Sequence, residues 1–253
     1  MSSDSLTVVR PSLMAKSKSL LNQLIYLVAK VVSQRALAYF DLFIPQFGNK
    51  VEWRSGLGEA LYTLYGLVRT LRPAAIIEIG SSRGKSTCAM ALACRENRKG
   101  KVYAIDPHIA NYWSDQETAN TSFDFLLQRL RIYGLRDWCE VIRKTSGDAL
   151  KVPPVTKVDF VFIDGDHSYE GVKLDFELCQ PLLSEHALVL FHDSTWGYFP
   201  DDPNCRPGLG VPKFLDELRQ SGYEAVTLFS PPGLTILQPV RGGFPYRVEQ
   251  SIR

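Results

Sequence analysis

The stretch Ala75-Ile76-Ile77-Glu78-Ile79-Gly80-Ser81-Ser82-Arg83-Gly84-Lys85-Ser86 carries the first strong structural signal in the chain. An apolar run, broken only by Glu78, stops abruptly at a glycine. Such a short run, bounded by Gly and Ser, reads as a strand buried on both faces, as in a parallel sheet covered by helices. Gly80 and Gly84 allow a tight turn and close backbone approach, since neither carries a Cβ. Ser86-Thr87 then offers hydroxyls to cap a following helix, predicted over Thr87–Arg95.

Outward from this turn the same unit recurs. Strands are predicted at Lys101–Ile105, Cys139–Ile142, Val158–Ile163 and His186–Phe191, and helices at Leu57–Leu71, Phe123–Tyr133, Tyr169–Leu183 and Pro212–Ser221. Two last strands, Glu224–Phe229 and Leu234–Gln238, flank Pro231-Pro232-Gly233, a turn short enough to make them antiparallel. The pattern predicts an α/β fold: a doubly wound, Rossmann-like, mainly parallel sheet with an antiparallel C-terminal hairpin, plus an N-terminal helical extension. The expected division is a tail and helical extension over 1–54, one domain over 55–240 and a tail over 241–253.

The extension centres on Leu20–Ile44. Its longest unbroken apolar run, Leu24–Ala29, falls far short of the roughly 20 residues that span a bilayer. A late apolar start without a cleavage site also argues against a signal peptide. An amphipathic helix is expected, packing on the body or on a second subunit in a homodimer; a membrane-surface role is the alternative.

Composition sets further bounds. In 253 residues, 45% are hydrophobic and 22% charged, enough for a substantial core. The net charge of +2 comes from dispersed Lys and Arg, which argues against nucleic acid as a partner. The five cysteines are odd in number and lack CxxC spacing, so neither a disulfide framework nor a thiolate zinc site is expected. A reducing, cytoplasmic setting follows.

Three ligands compete for the turn after Ile79. A phosphate loop, GxxxxGK[ST], finds its second half in Gly84-Lys85-Ser86, but its first glycine would fall on Ile79. A dinucleotide fingerprint, GxGxxG, fails at Ser82. S-adenosylmethionine has no phosphate, and a carboxylate near the turn suits its ammonium group. Glu78-x-Gly80-x-x-x-Gly84 resembles the first motif of class I S-adenosylmethionine-dependent methyltransferases. Asp106, ending the next strand, can accept hydrogen bonds from both ribose hydroxyls, and the resemblance places Ser146-Gly147-Asp148 beside the adenine. The expected cofactor residues are Glu78, Gly80, Ser81, Gly84, Ser86, Asp106, Ser146, Gly147, Asp148 and Asp164.

Two later strand ends are dense in polar groups: Ile163-Asp164-Gly165-Asp166-His167-Ser168-Tyr169-Glu170 and Phe191-His192-Asp193-Ser194. Packing alone does not require this, so the shared rim is a candidate site. Together with Pro207-Gly208-Leu209-Gly210-Val211 and Phe214-Leu215-Asp216-Glu217-Leu218, these stretches resemble small O-methyltransferases acting on sugars and other natural products, related to catechol O-methyltransferases. The resemblance covers about residues 55–240. It implies methylation of a hydroxyl on a small molecule or sugar and, as in metal-dependent members, a divalent ion on Asp164, His192 and Asp193. His192 departs from the Asp-Asp or Asp-Asn pair usual there and shifts preference from Mg²⁺ toward a softer ion such as Mn²⁺. The matching position makes Asp166 first candidate for general base, with His167 and His192 as rivals. Two long loops, Pro107–Ser122 with Tyr112 and Trp113, and Ser194–Gly210 with Trp196, Tyr198 and Phe199, are expected to cover substrate. The competing readings are a phosphotransferase using Lys85 and Ser86, and a non-catalytic binding protein of the same fold.

Overall fold

The computed structural model describes residues 13–44, 56–110, 115–195 and 210–239. Among them β1 (Ala75–Ile79), β2 (Lys101–Ile105), β3 (Cys139–Ile142), β4 (Val158–Ile163), β5 (Leu183–His192), β6 (Glu224–Leu228) and β7 (Leu234–Gln238) form one sheet. Their order is β3-β2-β1-β4-β5-β7-β6. Strands β1 to β5 pair in parallel, whereas β7 runs antiparallel to both β5 and β6. The last hairpin therefore inserts its second strand between β5 and its first. The chain leaves β1 in one direction through β2 and β3, then returns to lay β4 on the other side. Ligands in open α/β sheets bind beyond the carboxyl ends of the strands at such a reversal. The register aligns those ends, because Ile79 pairs with both Ile105 and Ile163, and Ile163 with Phe191.

The helices are α1 (Leu13–Phe43), α2 (Ala60–Leu71), α3 (Lys85–Asn97), α4 (Gln116–Ile132), α5 (Ser146–Leu150), α6 (Tyr169–Cys179) and α7 (Gly210–Gln220). Side chains alternate across a strand with period two, so each strand feeds two cores. Ile76, Val102, Phe160, Phe162 and Leu190 pack with α2, α3, α4 and the end of α1. Ile77, Ile79, Val161, Ile163 and Phe191 pack with α5, α6 and α7 on the other face. The expected doubly wound sheet with its antiparallel C-terminal hairpin is the one observed.

Local chemistry explains where element bounds differ from expectation. Helix α4 begins at Gln116, not Phe123, because Asp115 caps it by accepting from the Thr118 amide at 2.8 Å. Its first two turns are polar, so hydrophobic periodicity misses them. The unexpected α5 is started by Thr145, whose hydroxyl accepts from the Asp148 amide at 3.1 Å. Four cysteines are buried free thiols. Cys205, Tyr112, Trp113, Trp196, Tyr198 and Phe199 lie outside the described residues, as do both terminal tails. No helix among the described residues is long and apolar enough to cross a membrane.

Among the described residues, helix α1 meets the body through its C-terminal part. Ala38 and Leu42 are buried, and Arg35 Nε lies 2.8 Å from Glu96 Oε1. The buried Asp41 accepts the Tyr133 hydroxyl at 2.7 Å and faces Arg129 at 3.4 Å. Removing a donor from a buried carboxylate leaves desolvation uncompensated. Tyr133→Phe is expected to lower the free energy of unfolding by about 1–3 kcal/mol in urea titrations. An unchanged midpoint would show that this bond does not hold α1 down.

Candidate active site

The rim begins at the turn after β1. Gly80 has φ +89°, and a Cβ there would stand 2.0 Å from the backbone oxygen of Asp164. The ends of β1 and β4 thus touch backbone to backbone, and Asp164 N donates to Ile79 O at 2.8 Å. Gly84 has φ +81°, and a Cβ would strike Leu126 of α4 at 2.2 Å. The second glycine therefore admits a packing helix. Ser81 is buried beside it, and its Oγ has no partner among the described residues.

Glu78 lies beneath the turn. Its side chain is 0% exposed, and both carboxylate oxygens accept hydroxyl hydrogen bonds, one from Ser86 and one from Thr87. Burial pushes its pKa up to about 8, against the lowering effect of the two hydroxyls. Strand alternation explains this: Glu78 shares the face of Ile76 and points under the turn, toward the start of α3. Glu78 and Ser86 are bonded to each other beneath the turn.

Asp106 fits its expected place at the end of β2. One oxygen accepts from Ser82 N at 2.8 Å and the other from His108 N at 2.7 Å, and the carboxylate stays partly exposed. Each oxygen keeps acceptor capacity for a ribose hydroxyl. Ser146, Gly147 and Asp148 form the first turn of α5. Asp148 is exposed and bonded to Lys151 at 2.8 Å, so its carboxylate already has a cationic partner.

Beyond β4 and β5 lies the charged cluster. His192 Nδ1 stands 2.9 Å from Asp164 Oδ1 and 3.2 Å from Asp193 Oδ1. His167 Nε2 contacts Asp193 Oδ2 and lies 3.7 Å from Asp164 Oδ1. Asp193 has φ +55°, a left-handed conformation that is uncommon outside glycine and tends to mark functional sites. Burial pulls both imidazoles down, but the two carboxylates outweigh it and raise His167 and His192 to about 10. Burial likewise opposes ionisation of Asp193, yet His192 and His167 hold it well below the ordinary carboxylate range.

Two expected roles change here. One ligand atom from each of Asp164, His167 and Asp193 lies within 4.8 Å of the others, so His167 completes the candidate three-ligand group. His192 instead bridges the carboxylates from behind, with its Nε2 buried and unpartnered among the described residues. Asp166 does not join the cluster. Its Oδ1 accepts from Ser168 N at 2.9 Å, and a Cβ on Gly171 would meet the Asp166 carboxylate carbon at 2.4 Å. This local turn folds Asp166 back over the start of α6, away from the rim that the sequence assigned to a general base.

Sequence reasoning missed Arg143. Its Nη2 donates to Asn120 Oδ1 at 2.6 Å and to His108 O at 3.2 Å, and its guanidinium lies 4.7 Å from the Phe123 ring centre. Gln116 Nε2 also donates to His108 O, at 3.1 Å. These contacts hold the segment after Asp106, where His108 takes φ +48° with its ring edge on Phe123. A lone arginine just past a strand end gave the only sequence signal.

Comparison with known proteins agrees with this architecture. Residues 77–194 match a family described as "Methyltransferase domain". The uncharacterized protein y4gI of Sinorhizobium fredii is 30% identical over 157 residues, covering 58% of this chain and 17% of that protein. The chain thus matches only about a sixth of that curated relative. Among solved structures, the O-methyltransferase TomG from Streptomyces achromogenes, in complex with SAM, superposes with TM-score 0.56 at 20% identity, covering 84% of this chain and 90% of that one. An O-methyltransferase from Bacillus cereus in complex with SAH gives 0.56 at 17%, covering 83% and 90%. SAH-bound PaMTH1 from Podospora anserina gives 0.55 at 16%, covering 92% and 99%. The chain shares the Rossmann-like fold of these solved methyltransferases, and residues 77–194 match the methyltransferase family model.

The buried Glu78 has a measurable signature. Its folded pKa near 8 exceeds its ordinary value of 4.5, so its contribution to stability is present at low pH and is lost as pH rises through 8. Glu78→Gln removes that dependence. Urea titrations from acidic to mildly alkaline pH should show the variant gaining on the parent as pH rises. A constant difference would mean that Glu78 is ionised when folded.

Proposed function

We propose that this methyltransferase domain transfers the sulfonium methyl of S-adenosylmethionine to a hydroxyl oxygen of a small molecule or sugar. The observation that carries the reading is the juxtaposition, along one rim, of the tight Gly80 turn, the partly exposed Asp106 and the Asp164–His167–Asp193 cluster. The turn and Asp106 suit the amino-acid and ribose ends of the cofactor. The cluster lies beyond β4 and β5, on the other side of β1 from Asp106, where an acceptor would face the methyl group. Three solved relatives of the same fold are O-methyltransferases or cofactor-bound methyltransferases by name.

Methyl transfer is an in-line displacement that needs the acceptor oxygen aligned and its proton removed. Neither imidazole is a ready base at neutral pH, because the carboxylates keep His167 and His192 protonated. The donor set, two carboxylates and one imidazole nitrogen, fits Mn²⁺ or Mg²⁺. A divalent ion held there would take over the positive charge and lower the pKa of an acceptor hydroxyl beside it. His167 would then lose its proton from Nε2, while His192 keeps its Nδ1 proton between Asp164 and Asp193. Asp166, turned away, orders the start of α6.

The turn also disfavours the phosphotransferase reading, since the Ser86 hydroxyl at the start of α3 is committed to the buried Glu78. The decisive test is calorimetric titration with S-adenosylmethionine. Binding is expected, and Asp106→Asn should weaken it by at least about tenfold through loss of charge-assisted bonds to the ribose. Absence of binding to the parent protein would sink the proposal.

Metal affinity supplies a second test. Because His167 must shed a proton to ligate, the apparent affinity for Mn²⁺ should rise with pH across the neutral range and fall sharply in Asp193→Asn. A pH-independent affinity would place the ion elsewhere.

A further inference from the structure

We propose that the N-terminal half of α1 docks on an anionic phospholipid surface. Leu24, Leu27, Val28, Val31 and Val32 follow the i, i+3, i+4, i+7, i+8 spacing of one helix face and are 50–60% exposed. The same face, one turn further on, carries Ala38 and Leu42, which are buried at 0% and 2%. The stripe that fixes α1 to the body therefore continues past it, exposed among the described residues. Contiguous exposed apolar surface of this kind marks an interaction site.

Charge selects the occupant. Between Leu13 and Phe40 the sequence holds Lys16, Lys18, Lys30 and Arg35 and no acidic residue. Arg35 is paired with Glu96, and the first acid, Asp41, is turned inward to Tyr133 and Arg129. An anionic bilayer answers both features, accepting the apolar face among its acyl chains and the exposed Lys30 at its headgroups. The helix falls short of what crossing a bilayer requires, so it lies along the surface. The contacts at residues 35–42 then hold the body at a fixed attitude to the lipid.

The test is cosedimentation of the full chain with phosphatidylcholine vesicles with and without phosphatidylglycerol. Binding is expected on the anionic vesicles, weak binding on neutral ones, and loss of binding at high salt. Leu27→Glu/Val31→Glu should reduce partitioning by at least about tenfold, since two apolar anchors become anions facing an anionic surface. Lys30→Glu should reduce it by a smaller factor. These positions are exposed, so the melting temperature should not change, and a lowered one is countered by reading Lys30→Glu alone. The proposal falls if anionic vesicles capture no protein, if neutral ones capture as much, or if the double variant binds equally well. It falls also if light scattering shows a dimer that the double variant dissolves while vesicles bind neither form; the face would then be a contact between copies.

Discussion

At the switch point of the sheet, the backbone of Gly80 lies so close to the carbonyl of Asp164 that no side chain fits between them. Two strands that leave the centre of the sheet in opposite topological directions are thereby pinned at their carboxyl ends. The turn after β1 and the loop after β4 form one continuous surface, and every polar group of the rim takes its position from that contact. Asp106 is tied to the same turn through the Ser82 amide. His192 is tied to the same loop through Asp164. Glycine at position 80 thus sets the spacing between the two halves of the site.

The rim and the layer below it bury carboxylates in different ways. Under the turn, Glu78 is surrounded by apolar side chains and met only by hydroxyls, so proton uptake is its remedy for burial. At the rim, Asp164 and Asp193 are met by two imidazoles that take up the proton instead. The first arrangement is electrically quiet and shapes backbone. The second gathers charge at the rim.

Much of the fold was legible because fully buried parallel strands leave continuous apolar runs, and all of β1 to β4 were placed with their observed bounds. Capped polar helix starts left no such trace, so Asp115 and Thr145 were passed over. At the site, the sequence located strand ends correctly, since Asp106, Asp164, His192 and Asp193 all follow apolar runs. It could not give the direction of a side chain at those ends. Glu78 turned inward because of its place in the strand alternation, and Asp166 folded back onto the Ser168 amide. His167, one residue along, took the inward position. Arg143 escaped notice because its work is done through contacts with residues 108, 120 and 123, distant in sequence from one another and from it.

The placing of β7 between β5 and β6 has a consequence for synthesis. His192, beside the charged cluster, pairs in the sheet with Leu234, which the ribosome delivers some forty residues later. Until then β5 is an edge strand with open hydrogen-bonding groups on its outer side. A nascent chain that has completed β1 to β3 would therefore still lack the strand that closes the outer side of β5. The charged cluster at the end of β5 thus waits on the final hairpin.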